Sequence, residues 1–119
     1  MITLSNEIRD RLRASGVPVR YFYPAGWSQL PVISWRESMN REYAQADGRE
    51  HLAELEYTVD VWSDSPAQCR QLADEIDALL GELRLKRQFA ADLFDANANM
   101  HHRSLRYRCV CDRNGNIYQ

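Results

Sequence analysis

The sequence predicts an α+β fold: a mainly antiparallel β-sheet with two α-helices packed on one face and a long protruding β-hairpin. Three observations carry it. Leu30 to Ser63 reads as two long strands around a polar turn, opened by Leu30-Pro31-Val32-Ile33-Ser34-Trp35, turned at Ala46-Asp47-Gly48 and closed by Tyr57 to Ser63. From Ala53 onward, Ala53, Leu55, Tyr57, Val59 and Val61 alternate with Glu54, Glu56, Thr58 and Asp60, the period of a strand with one apolar and one acidic face. A strand of that kind belongs to an antiparallel sheet covered on one side. The order α-β-β-β-α-β-β then places the helices together on that covered side.

Taken in order, a first helix is expected over Ser5 to Ser15, because Leu4, Ile8 and Leu12 recur on one side and Gly16 stands where a C-terminal cap belongs. Ser5 or Thr3 is placed to cap its start. Val17-Pro18 leads into a short strand, Val19 to Tyr23, which Pro24-Ala25-Gly26 interrupts. The next strand is expected from Val32 to Asn40, a hairpin tip from Arg41 to Arg49, and the long third strand from Glu50 to Ser63. Ser65, Pro66 and Gln68 form a capping box for the second helix. Its apolar stripe is Cys69, Leu72, Ala73, Ile76, Leu79 and Leu80, and Gly81 ends or loosens it. Leu83 to Phe89 reads as a short strand, and Ala90 to Asn99 as either a helical turn or a loop. A last long strand spans Met100 to Cys111, with Leu105, Tyr107, Cys109 and Cys111 facing inward. Asp112-Arg113-Asn114-Gly115 marks a turn into a short edge strand, Asn116 to Gln119.

At 119 residues the chain is expected to form one domain, residues 1–119, around a single core. A hydrophobic fraction of 45% argues against wholesale disorder. The 15 basic and 17 acidic residues are interleaved and leave a net charge of −2, which provides no general attraction to nucleic acid or anionic lipid. Cys69, Cys109 and Cys111 make a poor disulfide framework, being odd in number with two of them at i and i+2. They are expected to be reduced thiols of a protein made and folded in the cytoplasm. No segment reaches the length of a membrane span, and the N-terminus has neither the basic start nor the apolar run of a signal peptide.

No catalytic signature accompanies these elements. Cys109, Cys111, His101 and His102 are potential zinc ligands on one strand, but adjacent histidines point to opposite faces and the thiol spacing is not that of a structural zinc pair. They are better read as buried thiols in a core strand. His51, near Glu50 and Glu54, has no nucleophile set beside it by any motif. Glu54, Glu56 and Asp60 form an acidic row that is expected to face His102, Arg106 and Arg108 on the last strand. Arg84, Lys86 and Arg87 with Arg103, Arg106 and Arg108 form only a modest basic set interrupted by acids, without a phosphate loop or an RNA-binding motif. Among the aromatics, Trp35 belongs in the core. Tyr23 and Trp27 lie in a loop flanked by Pro and Gly, either as anchors for a partner protein or as a local cluster covering the sheet. The residues expected to meet other proteins are Tyr23 and Trp27 in that loop, with Arg41, Tyr43, Asp47 and Arg49 on the hairpin. No catalytic, cofactor or metal residue is expected.

With these pieces in this order, the chain resembles the small tail completion, head-to-tail joining and tail-terminator-like proteins of long-tailed bacteriophages and prophages. The resemblance spans nearly the whole sequence. It is carried by the helix ending in Gly16-Val17-Pro18-Val19, by Leu30-Pro31-x-Ile33-x-Trp35 and by the Ala46-Asp47-Gly48 hairpin. Tyr57-x-Val59-Asp60-Val61-Trp62-Ser63, the capped second helix and Asp112-x-x-Gly115-x-Ile117-Tyr118 continue it. It implies a structural virion protein without enzyme activity or cofactor, made in the host bacterium, that caps the tail tube and joins it to the DNA-filled head. It further implies a homo-oligomeric ring, typically of six subunits, in contact with the tail tube protein and the head connector or stopper. DNA would pass through that ring without sequence-specific binding, along a polar or acidic lumen, and no membrane is involved. Residues Asn40 to Glu50 are expected to protrude and to order only on assembly. The alternatives are a generic bacterial α+β protein-interaction module and a small metal-binding protein using the Cys/His-rich last strand.

Overall fold

The computed structural model describes residues 1–118 and builds one twisted sheet from six strands with both helices on the same face. The elements are α1 (Ser5–Arg13), β1 (Val19–Tyr21), β2 (Val32–Ala46), β3 (Arg49–Ser63), α2 (Pro66–Gly81), β4 (Lys86–Asp95), β5 (Met100–Asp112) and β6 (Ile117–Tyr118). Across the sheet the order is β1-β2-β3-β5-β4, with β6 beside the far end of β5. β1 runs parallel to β2 and every other pair is antiparallel. This is the α+β architecture expected from the alternation in β3. Gln119, which the sequence reading included in the last strand, lies outside the described residues.

β3 is the axis of the sheet. Its register pairs Val59 with Trp35 on one side and with Leu105 on the other, so the apolar positions of three strands share one face. Ala53, Leu55, Tyr57, Val59 and Val61 are fully buried there beneath Ile8 and Leu12 of α1 and Leu72, Ile76 and Leu80 of α2. Each large aliphatic side chain removed from water in this way contributes roughly 1.5–3 kcal/mol. α2 is entered as the capping residues require, with the Ser65 hydroxyl accepting from the Gln68 amide at 3.2 Å and Pro66 in the first turn. The capping box is only half formed. The Gln68 side chain meets the Ser63 hydroxyl, and that hydroxyl takes the Ser65 amide in its place.

Four boundaries depart from the sequence reading. α1 ends at Arg13, and its N-cap is Leu4 without a side-chain cap, so neither Ser5 nor Thr3 fills that role. Thr3 instead joins the Tyr57 hydroxyl and Glu37. β1 stops at Tyr21, because Phe22 takes a positive φ of 75° and turns the chain out of the sheet. β4 runs from Lys86 to Asp95, which makes a strand of most of the segment read as a helical turn or loop. It is an edge strand exposed on both faces, so it lacks the alternation that reveals a half-buried strand. Finally, Arg41 to Arg49 is not a loop: β2 and β3 pair down to Ala46 and Arg49 around a two-residue turn. Asp47 and Gly48 both have positive φ, 54° and 73°, the requirement of a type I′ hairpin turn.

The hairpin sets the length of the molecule. Fifteen residues of β3 span about 50 Å at roughly 3.3 Å per residue, and the longest axis is 50 Å. The radius of gyration, 15.1 Å, exceeds the value of about 13.5 Å expected for a compact chain of this length. Its free portion is short, however, since β5 accompanies β3 as far as Leu52. The tip is tied down besides: the Arg113 guanidinium donates twice to the Glu50 carbonyl, and the Glu50 carboxylate accepts from the Ile2 amide. The expectation for Asn40 to Glu50 is a protruding segment that orders on assembly; the single chain already pairs it as a ladder and ties its base to Ile2 and Arg113.

One buried hydroxyl holds the N-terminus to the sheet. The Tyr57 hydroxyl accepts from the buried Leu4 amide at 2.8 Å and donates to Glu37 at 2.9 Å. Tyr57→Phe leaves that amide without its partner, and the expected cost is about 1–3 kcal/mol in urea unfolding. A change below about 0.5 kcal/mol means that water or Thr3 replaces the hydroxyl.

Candidate interaction surface

The helices leave the other face of the sheet open. β3 presents Glu54, Glu56, Thr58, Asp60 and Trp62 there, between Arg36 and Arg41 of β2 and His102, Ser104, Arg106 and Arg108 of β5. Glu54 is only 2% exposed although no helix covers it. Arg41 of one flanking strand bonds its Oε1, and the Arg108 guanidinium of the other lies against Oε2 as an ion pair without a hydrogen bond. Both guanidiniums stay largely in solvent, so they lid the carboxylate at little desolvation cost to themselves. Glu56 accepts from the Ser38 hydroxyl at 2.9 Å, and Thr58 donates to the same hydroxyl. Among the described residues Arg106 has no carboxylate partner, and it stacks 4.3 Å over the Phe89 ring. The expected basic row thus meets the acidic row, but through two specific contacts, Arg108 to Glu54 and His102 to Asp60.

At the end of the sheet opposite the hairpin, an aromatic cap closes the open face. Trp62 stacks on His102 at 4.0 Å and 10°, and its indole N–H donates to Ser34 at 2.9 Å. His102 Nδ1 lies 3.1 Å from Asp60 Oδ1. Trp27 and Tyr23 cover Trp62 from the β1–β2 connection, at 5.1 and 5.3 Å between ring centres. The Tyr23 hydroxyl continues to Asp95 at the end of β4. The Ala98 amide, which also donates to Asp95, holds that carboxyl below its usual range. Val32 and Met100 complete this second apolar cluster, with Leu30 and Ala98 against it.

Near the hairpin the open face forms a concavity of about 500 Å³ between Tyr43, Leu52, Val110, Tyr118 and Lys86. The residues expected to meet partners therefore fall into three places. Tyr23 and Trp27 belong to the aromatic cap, where Trp27 is half-buried and Tyr23 is exposed. Arg41 is committed to Glu54. Tyr43 borders the concavity, and Asp47 and Arg49 are exposed at the hairpin end. The sequence reading did not place Arg36 and Arg41 beside the acidic row. The signal for Arg41 was present, because a two-residue Asp-Gly turn fixes the β2–β3 register and brings Arg41 opposite Glu54.

This combination of a half-covered sheet, a long hairpin and two helices on one face coincides with a known family profile. The family described as Tail completion protein gp17 matches residues 6–112. The chain belongs to that family. No curated protein matches it. Membership of the tail completion family gives the chain a structural role in a phage tail and makes it a virion component. No helix among the described residues is long and apolar enough to cross a membrane.

This tail completion fold keeps apart the groups that suggested metal chemistry. His101 and His102 point to opposite faces: His101 lies against Phe94 at 4.9 Å, while His102 lies under Trp62. Cys109 and Cys111 are buried under the helices, several rungs along β5 from both histidines. Among the described residues, no group of three His, Cys, Asp or Glu side chains could hold a metal ion. Burial pushes the Cys109 thiol up to about 12 and the Cys111 thiol up to about 11. Burial likewise raises the Tyr57 and Tyr107 hydroxyls, which keeps these groups neutral in the folded chain.

The two faces lead to separate expectations. Arg108→Ala strips half the lid from a buried carboxylate and is expected to destabilise the fold by about 2 kcal/mol or more. Arg106→Ala removes a cation–π contact worth about 0.5–1 kcal/mol. Equal effects of the two in chemical denaturation contradict the clamp. For the thiols the sign is set by a folded pKa above the unfolded one: their stabilising contribution is complete below about pH 8.5 and is lost as pH rises through 11 to 12. The melting temperature should therefore hold from pH 7 to about 8.5 and fall above it, less steeply in the Cys109→Ala/Cys111→Ala variant. An identical alkaline slope in the variant assigns the loss to other groups.

Proposed function

We propose that this protein caps the end of a phage tail tube and joins it to the DNA-filled head, acting as a ring of subunits and without enzyme activity. The observation that carries the reading is the family match across residues 6–112, which takes in both helices and every strand except β6. The geometry supports it. A sheet covered on one face, open on the other and, among the described residues, unpaired along both edges suits side-by-side packing, and heterologous contacts of that kind close into a ring when the rotation fits. Six copies, the tail tube protein and a head connector or stopper are the partners in this reading.

In the ring, Tyr43, Asp47 and Arg49 are assigned to contacts with neighbouring proteins, because they stand at the exposed end of the ordered hairpin. Tyr23 and Trp27 act chiefly as a lid on Trp62 and contribute the exposed rim of that lid. DNA passes through without sequence-specific binding. The acidic row of β3 is answered within the same chain by Arg41, Arg108 and His102, so no stripe of one sign is left to hold a phosphate backbone.

The deciding experiment is electron microscopy of lysates from a phage or prophage lacking this gene. The expected picture is full heads beside unattached or overlong tails, restored to joined particles when the gene is supplied in trans. Normally joined particles in the deletion would sink the proposal.

A further inference from the structure

We propose that the sheet continues from one copy of the chain into the next, the outer edge of β4 pairing antiparallel with β1 of the neighbouring copy. This rests on the ring reading and names the contact that closes the ring. Both edges are unpartnered among the described residues. β1 covers only Ile33 to Trp35 of β2, and β4 has a strand on one side alone. Native monomers usually blunt such edges with charges, prolines or bulges. Here Arg20 on β1 and Lys86, Arg87, Asp92 and a bulge on β4 do some of this, yet large apolar side chains collect beside them. Of nine exposed large hydrophobic residues, Tyr21, Phe22 and Tyr43 lie along the β1–β2 edge, and Phe89, Leu93, Phe94 and Tyr118 along the β4–β6 edge. The bulge of β4 falls between Arg87 and Phe89, and from Phe89 to Asp95 the strand pairs with β5 without interruption. That leaves a straight run of free backbone donors and acceptors on its outer side.

Strand directions and rungs agree with this pairing. β1 is parallel to β2, and each step from β2 to β3, β5 and β4 reverses direction. A neighbour placed by rotation about a ring axis therefore presents β1 antiparallel to β4. Followed across the sheet, Val19 is level with Asp92 through Ile33, Val61 and Arg103. Tyr21 is level with Ala90 through Trp35, Val59 and Leu105. Small residues, Ala90 and Ala91, thus stand where Tyr21 and Arg20 of the neighbour arrive, leaving room for a close approach. A two-fold β4-to-β4 contact would stop at two copies, because it uses the same edge of both chains and cannot propagate around a ring.

The test uses two edge-blocked chains, Tyr21→Lys/Phe22→Lys and Leu93→Lys/Phe94→Lys, each checked for an unchanged thermal melt. In sedimentation at concentrations where the unaltered protein associates, each variant alone should be monomeric. Their equimolar mixture should give a one-to-one heterodimer, since each keeps one intact edge. A mixture that stays monomeric overturns the inference, as does a β1-edge variant that still dimerises, which would indicate the β4-to-β4 contact. Where the unaltered chain associates only on tails, the readout is retention on purified tails from the deletion strain, with at least a tenfold loss expected for each variant. Edge-blocked chains that are retained and still join heads refute the edge pairing and leave the joining role standing. Failure of the unaltered gene to restore joined particles refutes the joining role itself.

Discussion

The structure depends on the strict alternation of β3. Its odd-numbered positions from Ala53 to Val61 must be dry, and its even-numbered positions from Glu54 to Asp60 carry charge or hydroxyl groups. A shift of one residue against either neighbour would turn Tyr57 and Val59 to solvent and press Glu54 and Glu56 under the helices. Both neighbours answer this demand on both faces. Ile33 and Trp35 of β2 and Leu105 and Tyr107 of β5 extend the apolar side. Arg41 and Arg108 flank Glu54, and Ser34 and His102 reach the Trp62–Asp60 end. α1 and α2 are then needed only on one side.

That asymmetry explains a feature unusual for an open face, namely carboxylates almost without solvent exposure. Glu54 and Asp60 are 2% and 7% exposed. Each is covered by side chains of the adjacent strands, a long guanidinium on either side in one case and a stacked His102–Trp62 pair in the other. The partners that cover each carboxylate arrive from strands whose register is already set. The clamp thus reports on the register: it forms only when β2, β3 and β5 are all correctly aligned.

How much of this was legible follows from where each element's partners lie. β3, β5 and α2 announce themselves through burial periodicity, and the cap at Ser65 and the turn at Asp47-Gly48 through local backbone chemistry. β4 was misread beyond Phe89 because an edge strand exposed on both faces carries no alternation, and its strand character comes from β5 alone. The hairpin tip was misread because polar composition was taken as a sign of disorder. A type I′ turn with a paired ladder orders polar residues through the backbone, and Arg113 reaches Glu50 from far along the chain. The surface residues were legible only in part. Arg41 was singled out as a partner contact, yet its guanidinium serves Glu54, and only the cross-strand register reveals that. Tyr23 and Trp27, left open between anchor and local cluster, lie over Trp62 as a cluster with an exposed rim.

The same pairing bears on how a ring of such subunits would treat DNA. Affinity for a phosphate backbone grows with the number of cations free to displace counterions. On the open face, Arg41 and Arg108 are held by Glu54, Arg106 lies over Phe89, and Arg36 is 5.4 Å from the Phe22 ring. Without the carboxylates of Glu54, Glu56 and Asp60 among them, these four guanidiniums would grip DNA strongly and in a salt-dependent way. A face carrying the acidic row without them would repel it. With both sets present the face is of mixed sign and does neither, which would let a duplex slide past if the proposed ring turned this face to its channel. The acidic row read along β3 alone suggests a repelling surface; with the register of β2 and β5 the open face is one of mixed sign.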